Sequence, residues 1–439
     1  MPAVGAEDAN VPVPAASPAK RRHIFAATLG NALEFYDFIT YSFFAIQIGH
    51  AFFPARSAFV SLMLSLATFG AGFLTRPIGG IVIGGYADRV GRRAAMTLSY
   101  SLIGVSVVAL ALIPSYRRIG LAAPVLAVIA RLVQGFSLGG EVGPNTAYLL
   151  EAAAPHRRGL VVAWQGASQS IASVVGALVG LGLAALMPPA ALESYGWRIA
   201  FLLGAVTVPF GLILRRTMPE TLQASEPGVA PAQQTSGFAL LRHHRRVLAL
   251  GLLIVGGGTV SNYVTNYMTT FAQSTLHMSA GIAFAATLVP NTAGLVAILF
   301  GGWLSDRLGR RPLMIWPNVL HVIITLPIFY WIVTVRSAAA LLCGMAVLSF
   351  ASSMAYGAFY AAFAESLPMR LRGRGFATVY GTAIALFGGT TQLMITGLIH
   401  VTGSAMAPGG YLLAANLMGL SAMLLMRESA PVHRGSICI

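Results

Sequence analysis

Long apolar runs, almost free of charge, recur along the whole chain, and no other feature narrows the fold as much. Each approaches or exceeds the roughly 20 residues a helix needs to cross the hydrocarbon of a bilayer. The sequence is 56% hydrophobic, and only 9% of its residues are charged; a soluble domain carries about 25%. Mean hydropathy is +0.74. Water cannot solvate so uncharged a surface, so the solvent is mostly lipid. The runs predict twelve spanning helices, at 24–52, 59–86, 94–114, 121–150, 160–187, 197–215, 247–275, 281–304, 312–334, 338–364, 375–400 and 408–426.

Charge placement orients the bundle. A net charge of +15 invites a nucleic-acid reading, but the arginines sit in short clusters between apolar runs rather than in one stripe, so no nucleic-acid partner is expected. With the N-terminus in the cytoplasm, the clusters at Arg21–Arg22, Arg89–Arg93, Arg157–Arg158, Arg242–Arg246, Arg307–Arg311 and Arg370–Arg374 all fall inside. The outer loops keep only Arg56, Arg117, Arg118 and Arg336. Such a bias places both termini inside. The Pro- and Ala-rich stretch before Lys20, the only lysine, reads as a disordered tail. The run after it holds two acids and no small-residue cleavage site, so a cleaved signal peptide is not expected. Two cysteines far apart, Cys343 and Cys438, predict neither a disulfide framework nor a metal cluster.

A motif repeats. "GGYADRVGRR" (84–93) follows the second span and "GWLSDRLGRR" (302–311) the eighth, half a chain apart and both on the cytoplasmic side. Glycines let the turn tighten, the Asp suits the N-terminus of a neighbouring helix, and the arginines suit lipid headgroups or acids of the other half. One copy reads equally well as a basic turn; two at matching places mark parallel halves, whose shared site lies near the membrane midplane. The expected plan is an all-α membrane protein of twelve transmembrane helices in two six-helix pseudo-repeated halves. A cytoplasmic N-tail covers 1–22, the halves 23–216 and 247–427, a linker 217–246, and a C-tail 428–439.

The doubled G-x-x-x-D-R-x-G-R-R resembles the cytoplasmic signature of the major facilitator superfamily. "GNALEFYDF", "TRPIGG" and "RLVQGFSLGGEVG" resemble its metabolite–proton symporter family. "GFLTRPIGGIVIGGYADRVGRR", "QGASQSIASVVGALVG" and "GWRIAFLLG" are similar to the citrate and tricarballylate proton symporters within it. The resemblance runs from about residue 22 to 427 and departs in span ten, where Tyr356 precedes Gly357 and such relatives carry Asn. It implies alternating access, protons as coupling ion without a further cofactor, a monomer, and a bacterial inner membrane.

Several polar groups fall near mid-membrane. Glu34 lies three turns past Arg22, roughly 18 Å at the rise of a helix. Asp37 shares its face, and Arg76 and Arg131 fall at similar depth. Glu141 lies closer to the cytoplasm. The second half does not repeat these charges, so they are not demanded by the fold, and an ionisable group inside a membrane is a functional candidate. Glu34, Asp37 and Glu141 are the candidate proton-coupling acids. Arg131 and Arg76 are candidate substrate or coupling cations, Arg forming a fork that suits carboxylates; structural pairing with the acids is the competing reading. If substrate competes with an acid for its arginine, the acid is freed to take a proton. Gln165, Gln169, Asn262, Tyr263, Asn266, Asn291, Tyr356 and Tyr360 are the neutral groups suited to substrate oxygens, or else to interhelical hydrogen bonds. Asp88 with Arg92, and Asp306 with Arg310, read as a cytoplasmic gate, with Glu151 and Glu365 as gate or tether charges beside it. Arg198 reads as an interface anchor, and His321 and His400 as packing residues. No metal site and no nucleophile–base pair emerges, so an enzyme is not expected. The expected function is proton-coupled import of a small organic acid, a di- or tricarboxylate such as citrate. A betaine or proline symporter is the alternative, and a membrane sensor a more remote one.

Overall fold

The computed structural model describes residues 21–90, 92–139, 146, 149–151, 153–216, 244–368 and 372–430. Glu141, most of the 217–246 linker and both chain ends lie outside these residues, as do the side chains of Glu34, Asp88 and Arg92. Every regular element among the described residues is helical, in twelve successive spans. The first half holds α1 (Arg21–Phe43, continued as Ala45–Phe52), α2 (Ala58–Leu74, continued as Arg76–Val90), α3 (Arg92–Leu112), α4 (Ala122–Leu138), α5 (Arg158–Leu186) and α6 (Trp197–Arg216). The second holds α7 (Arg245–Ser274), α8 (Ala280–Leu308), α9 (Arg310–Val335), α10 (Ala338–Glu365), α11 (Arg372–Ala383 and Gly389–Thr402 around a π turn at Ile384–Gly388) and α12 (Ala407–Leu425). Eight of the twelve contain a stretch long and apolar enough to cross a membrane; the others are α1, α3, α4 and α6. Large apolar side chains such as Ile81, Val105, Leu121, Ile323 and Trp316 point outward, as a lipid-solvated surface requires.

Local chemistry decides where the helices break. Pro77 has no N–H to return to Phe73, and the chain interrupts its helix at Thr75, whose hydroxyl donates to Leu132 O in α4 at 2.7 Å. Pro290 lies inside α8, and there Asn291 Nδ2 donates to Thr287 O at 2.8 Å. The π turn of α11 carries Ile384 to the cavity described below. One residue, Gly309, joins α8 to α9 at φ 98°. Only glycine adopts that backbone at no steric cost, which is why the second copy of the repeat carries Gly309 before its two arginines.

Glycine also sets helix separation. A Cβ on Gly135 would lie 1.5 Å from Gly72 O, one on Gly79 1.7 Å from Phe136 O, and one on Gly139 2.0 Å from Arg76 O. These glycines therefore form a backbone-to-backbone seam between α2 and α4, and it brings Arg76 and Arg131 to neighbouring turns. Between the halves α5 runs along α8 and α10, α2 along α11, and α1 meets α7. The expected C-tail does not start as a free end: Glu428 accepts the backbone N–H groups of Arg310 and Arg311, both at 2.9 Å.

Candidate functional site

Three charges lie at mid-depth in the first half, each nearly removed from solvent: Asp37, Arg76 and Arg131. Arg131, on α4, lies in an aromatic cage. Its guanidinium carbon stands 4.1 Å from the Phe38 ring centroid, 4.7 Å from Tyr41 and 5.2 Å from Phe69. It donates to Gln134 Oε1 on its own helix and to Phe69 O across the seam. Arg76 stands 4.5 Å from Phe38 and 4.7 Å from Phe73, so Phe38 is covered by both cations. Each contact of this kind contributes on the order of 1–2 kcal/mol when desolvated.

Asp37 follows Tyr36 on α1 and points to α6. Tyr36 Oη donates to Ala200 O at 3.0 Å and fixes α1 against that helix. Opposite lies Gly204, where a Cβ would stand 2.0 Å from Asp37 Oδ1; the missing side chain is what makes room for the carboxylate. Oδ1 is buried and accepts no hydrogen bond among the described residues. No ion pair joins Asp37 to Arg131 among the described residues, although Arg131 is the cation whose field reaches it. A buried carboxylate in that situation costs several kcal/mol while it is ionised.

The cavity lies beside this cage, mainly in the second half. It measures about 90 Å³, room for several waters. Six of the residues expected to meet substrate line it: Gln169, Asn262, Tyr263, Asn291, Tyr356 and Tyr360. Gln169 Nε2 donates to Tyr380 Oη at 2.8 Å, joining α5 to α11 across the halves. Tyr356 Oη donates to Ile254 O at 2.9 Å. Asn266 lies one layer behind the wall and accepts from Asn291 Nδ2 at 3.2 Å. Gln165 is buried outside the wall, as are Arg76 and Arg131. Tyr263 joins the cavity to the cage: it lines the cavity, while its ring packs 6.0 Å from Phe69 and 5.6 Å from Phe73, centroid to centroid.

The wall includes residues that reading by charge and amide passed over: Tyr380, and Ser349, Ser352 and Ser353 ahead of Tyr356 and Tyr360 on α10. The spacing in "SFASSMAYGAFY" is helical, one hydroxyl every three or four residues, so the signal was present in the pattern rather than in any single residue.

At the end of the bundle that carries the repeated motif, its second-half copy closes on the first half. Asp306 accepts the backbone N–H groups of Gly159 and Leu160 at 2.8 and 3.0 Å, capping the first turn of α5 from the other half. Arg310 holds Asp306 at 2.8 Å and Glu365 at 3.1 Å, all three buried or nearly so. Its first-half counterpart, Asp88 with Arg92, falls on side chains outside the description. Glu428 closes the cluster. Burial pushes its carboxyl up, but N–H groups of Ala430, Arg311, Arg310 and Ser429 outweigh that and hold it below the usual carboxylate value. Arg198 lies over Trp197 and donates to Ile113 O, and His400 stacks on Phe59 at 3.8 Å. Among the described residues no group of three or more acids, histidines or cysteines could hold a metal.

The profile of the Major Facilitator Superfamily matches residues 27–392. The citrate–proton symporter of Salmonella typhi is 38% identical over 92% of this chain and 94% of its own. That of Klebsiella pneumoniae is 40% identical over 93% of this chain and 92% of its own. An alpha-ketoglutarate permease of Escherichia coli (strain K12) is 35% identical over 86% of this chain and 88% of its own. In structure the chain is similar to a D-xylose–proton symporter, with TM-score 0.74, 21% identity and coverage of 94% of this chain and 98% of that one.

Proposed function

The chain belongs to the major facilitator superfamily, a multi-pass membrane protein by that descent, and from that premise we propose that it is a proton-coupled symporter importing a small tri- or dicarboxylate such as citrate. One observation carries the reading: the likeness to citrate–proton symporters extends over nearly the full length of both partners. Proline and betaine transporters are more distant, at 28–29% identity, and the osmolyte reading stands behind for that reason. The setting is a bacterial inner membrane with both termini cytoplasmic, as the arginine clusters favour.

The geometry supplies a route. Substrate takes the cavity, where amide, hydroxyl and phenol groups meet its oxygens. Asp37, desolvated and short of a hydrogen-bond partner, takes the proton; Glu34 and Glu141 remain its companions in this role. Arg131, then Arg76, supplies the positive field that ejects the proton again. Covered by Phe38, neither cation meets substrate until the aromatic contacts through Tyr263 shift, and that shift is what ties occupancy of the cavity to the charge of Asp37. The halves rock about the cavity, and Asp306 with Arg310 latches the cytoplasmic side while the outer side is open.

Uptake of labelled citrate into proteoliposomes, with and without an inward proton gradient, tests the reading. Wild type accumulates citrate only with the gradient; Asp37→Asn and Glu34→Gln do not. A wild type that ignores citrate and 2-oxoglutarate but accumulates betaine overturns it.

A further inference from the structure

The wall of the cavity sets a problem for an anionic cargo. The described residues that line it carry amides, hydroxyls, phenols and apolar groups, and none of them is charged. Neutral donors must therefore meet a carboxylate there. Two such groups reach the cavity from opposite halves and meet: Gln169 on α5 donates through Nε2 to Tyr380 Oη on α11 at 2.8 Å. Both are more than nine-tenths buried, at 8% and 5% exposed. Among the described residues this is the hydrogen bond that joins two wall side chains across the halves. The Tyr380 ring is held from behind. It stacks on Phe376 at 5.9 Å between centroids, and Phe376 stacks in turn on Tyr360 at 6.1 Å. Oη thus has a fixed place, and Gln169 is the partner that can swing.

The chemistry of the pair suits a carboxylate oxygen. As the acceptor, Tyr380 keeps its own O–H to give, and Gln169 Nε2 carries two N–H groups. In the structure the two bond each other, neutral to neutral. A carboxylate oxygen seated between them receives both hydrogens, and bonds to an ionised acceptor are roughly twice as strong as neutral ones. The exchange therefore favours a carboxylate, and a neutral oxygen gains less from it. We propose that Gln169 and Tyr380 form a clamp for one substrate carboxylate, closed on itself without substrate, in which Tyr380 is a specificity-determining residue. The clamp rests on the symport reading for its cargo, but the bond between its two sides does not.

A double-mutant cycle on binding tests it. Tyr380→Phe removes one oxygen and keeps the stack on Phe376. Gln169→Met keeps the length and removes the amide, with Gln169→Leu in its place should that variant not fold. Calorimetry on the purified protein gives the citrate Kd. In wild type, binding must break the Gln169–Tyr380 bond, whereas either single variant has already lost it. Each single variant should therefore weaken citrate only about fivefold, with one charge-assisted bond lost and one neutral bond spared. The double variant loses two and is spared one, so it should weaken citrate about a hundredfold, where independent sites would give about twenty-five. Equal losses in all three variants would make the pair a staple between α5 and α11, and losses that merely multiply would make them two separate contacts; either result overturns the clamp. A second arm needs no cargo. A fluorotyrosine in place of Tyr380 gives one ¹⁹F signal, which should shift when Gln169→Met is added to the ligand-free protein. A signal left in place overturns the proposal whatever is transported. If neither citrate nor 2-oxoglutarate binds and betaine does, the di- and tricarboxylate reading falls, and the same cycle on betaine's single carboxylate decides the clamp.

Discussion

Asp37 is the carboxylate on which the proposed proton coupling turns. It is buried, makes no ion pair among the described residues, and faces a glycine that leaves it space. An acid kept for structure would be paired, because an unpaired buried charge is costly. Asp37→Asn keeps the volume and removes the titration. It should abolish uphill accumulation while leaving exchange of labelled for unlabelled citrate within about threefold of wild type, since exchange moves no net proton. Loss of both activities would make the residue structural. The sequence marked Asp37 because a charge in an apolar run is conspicuous. It could not mark Gly204, whose contribution is an absence, or Ser349 and Tyr380, whose hydroxyls are common in membrane helices and gain meaning only from the wall they share.

Glycines on α2, α4 and α5 look alike in sequence and differ in what surrounds them. A Cβ on Gly79 would stand 1.7 Å from Phe136 O, whereas one on Gly182 meets nothing within 4 Å. Gly79→Ala must push α2 from α4 and should cost about 3 kcal/mol, visible as a lower Tm in detergent; Gly182→Ala should leave Tm unchanged or slightly raised. Equal effects would mean the seam is not tight. The helices themselves were legible because span length and apolarity are local properties. Their breaks at Phe44 and Thr75 and the π turn of α11 were less so, since neighbouring helices decide which interruption is satisfied. The link after α12 yields a pH prediction. Glu428 has its pKa lowered in the folded protein from an ordinary 4.5, so its contribution is full above that value and fades as pH falls through the folded pKa. The Tm advantage of wild type over Glu428→Gln should therefore be constant from pH 8 to about 5 and shrink below about 4.5. An advantage that grows toward acid would reverse the assignment.

At the scale of the whole molecule the repeat is what the sequence declared best, and its second copy shows what the motif holds together. The doubled motif foretold two halves in parallel and an Asp suited to a helix N-terminus. Which helix it would cap required the fold: Asp306 reaches across to α5, while Arg310 ties it back to Glu365 within its own half. On the proposed alternating-access mechanism these bonds join surfaces that part when this end of the bundle opens, so their strength belongs to the equilibrium between the two facing states. Hydrogen bonds to a charged acceptor contribute roughly 1.5–3 kcal/mol, and loss of about 2 kcal/mol moves a two-state equilibrium roughly thirty-fold. Asp306→Ala should shift the population toward the cytoplasm-open state by that factor without unfolding the second half, because Arg310 keeps Glu365. Ser353→Cys, on the cavity wall, in a background with Cys343 and Cys438 replaced by serine, reports the opening. An impermeant maleimide should label it about thirty-fold faster in inside-out vesicles when Asp306→Ala is added, and more slowly in right-side-out vesicles. Unchanged labelling from both sides would show that the halves are held shut elsewhere along α5 and α8, where Gly159 and Gly302 already bring the backbones together.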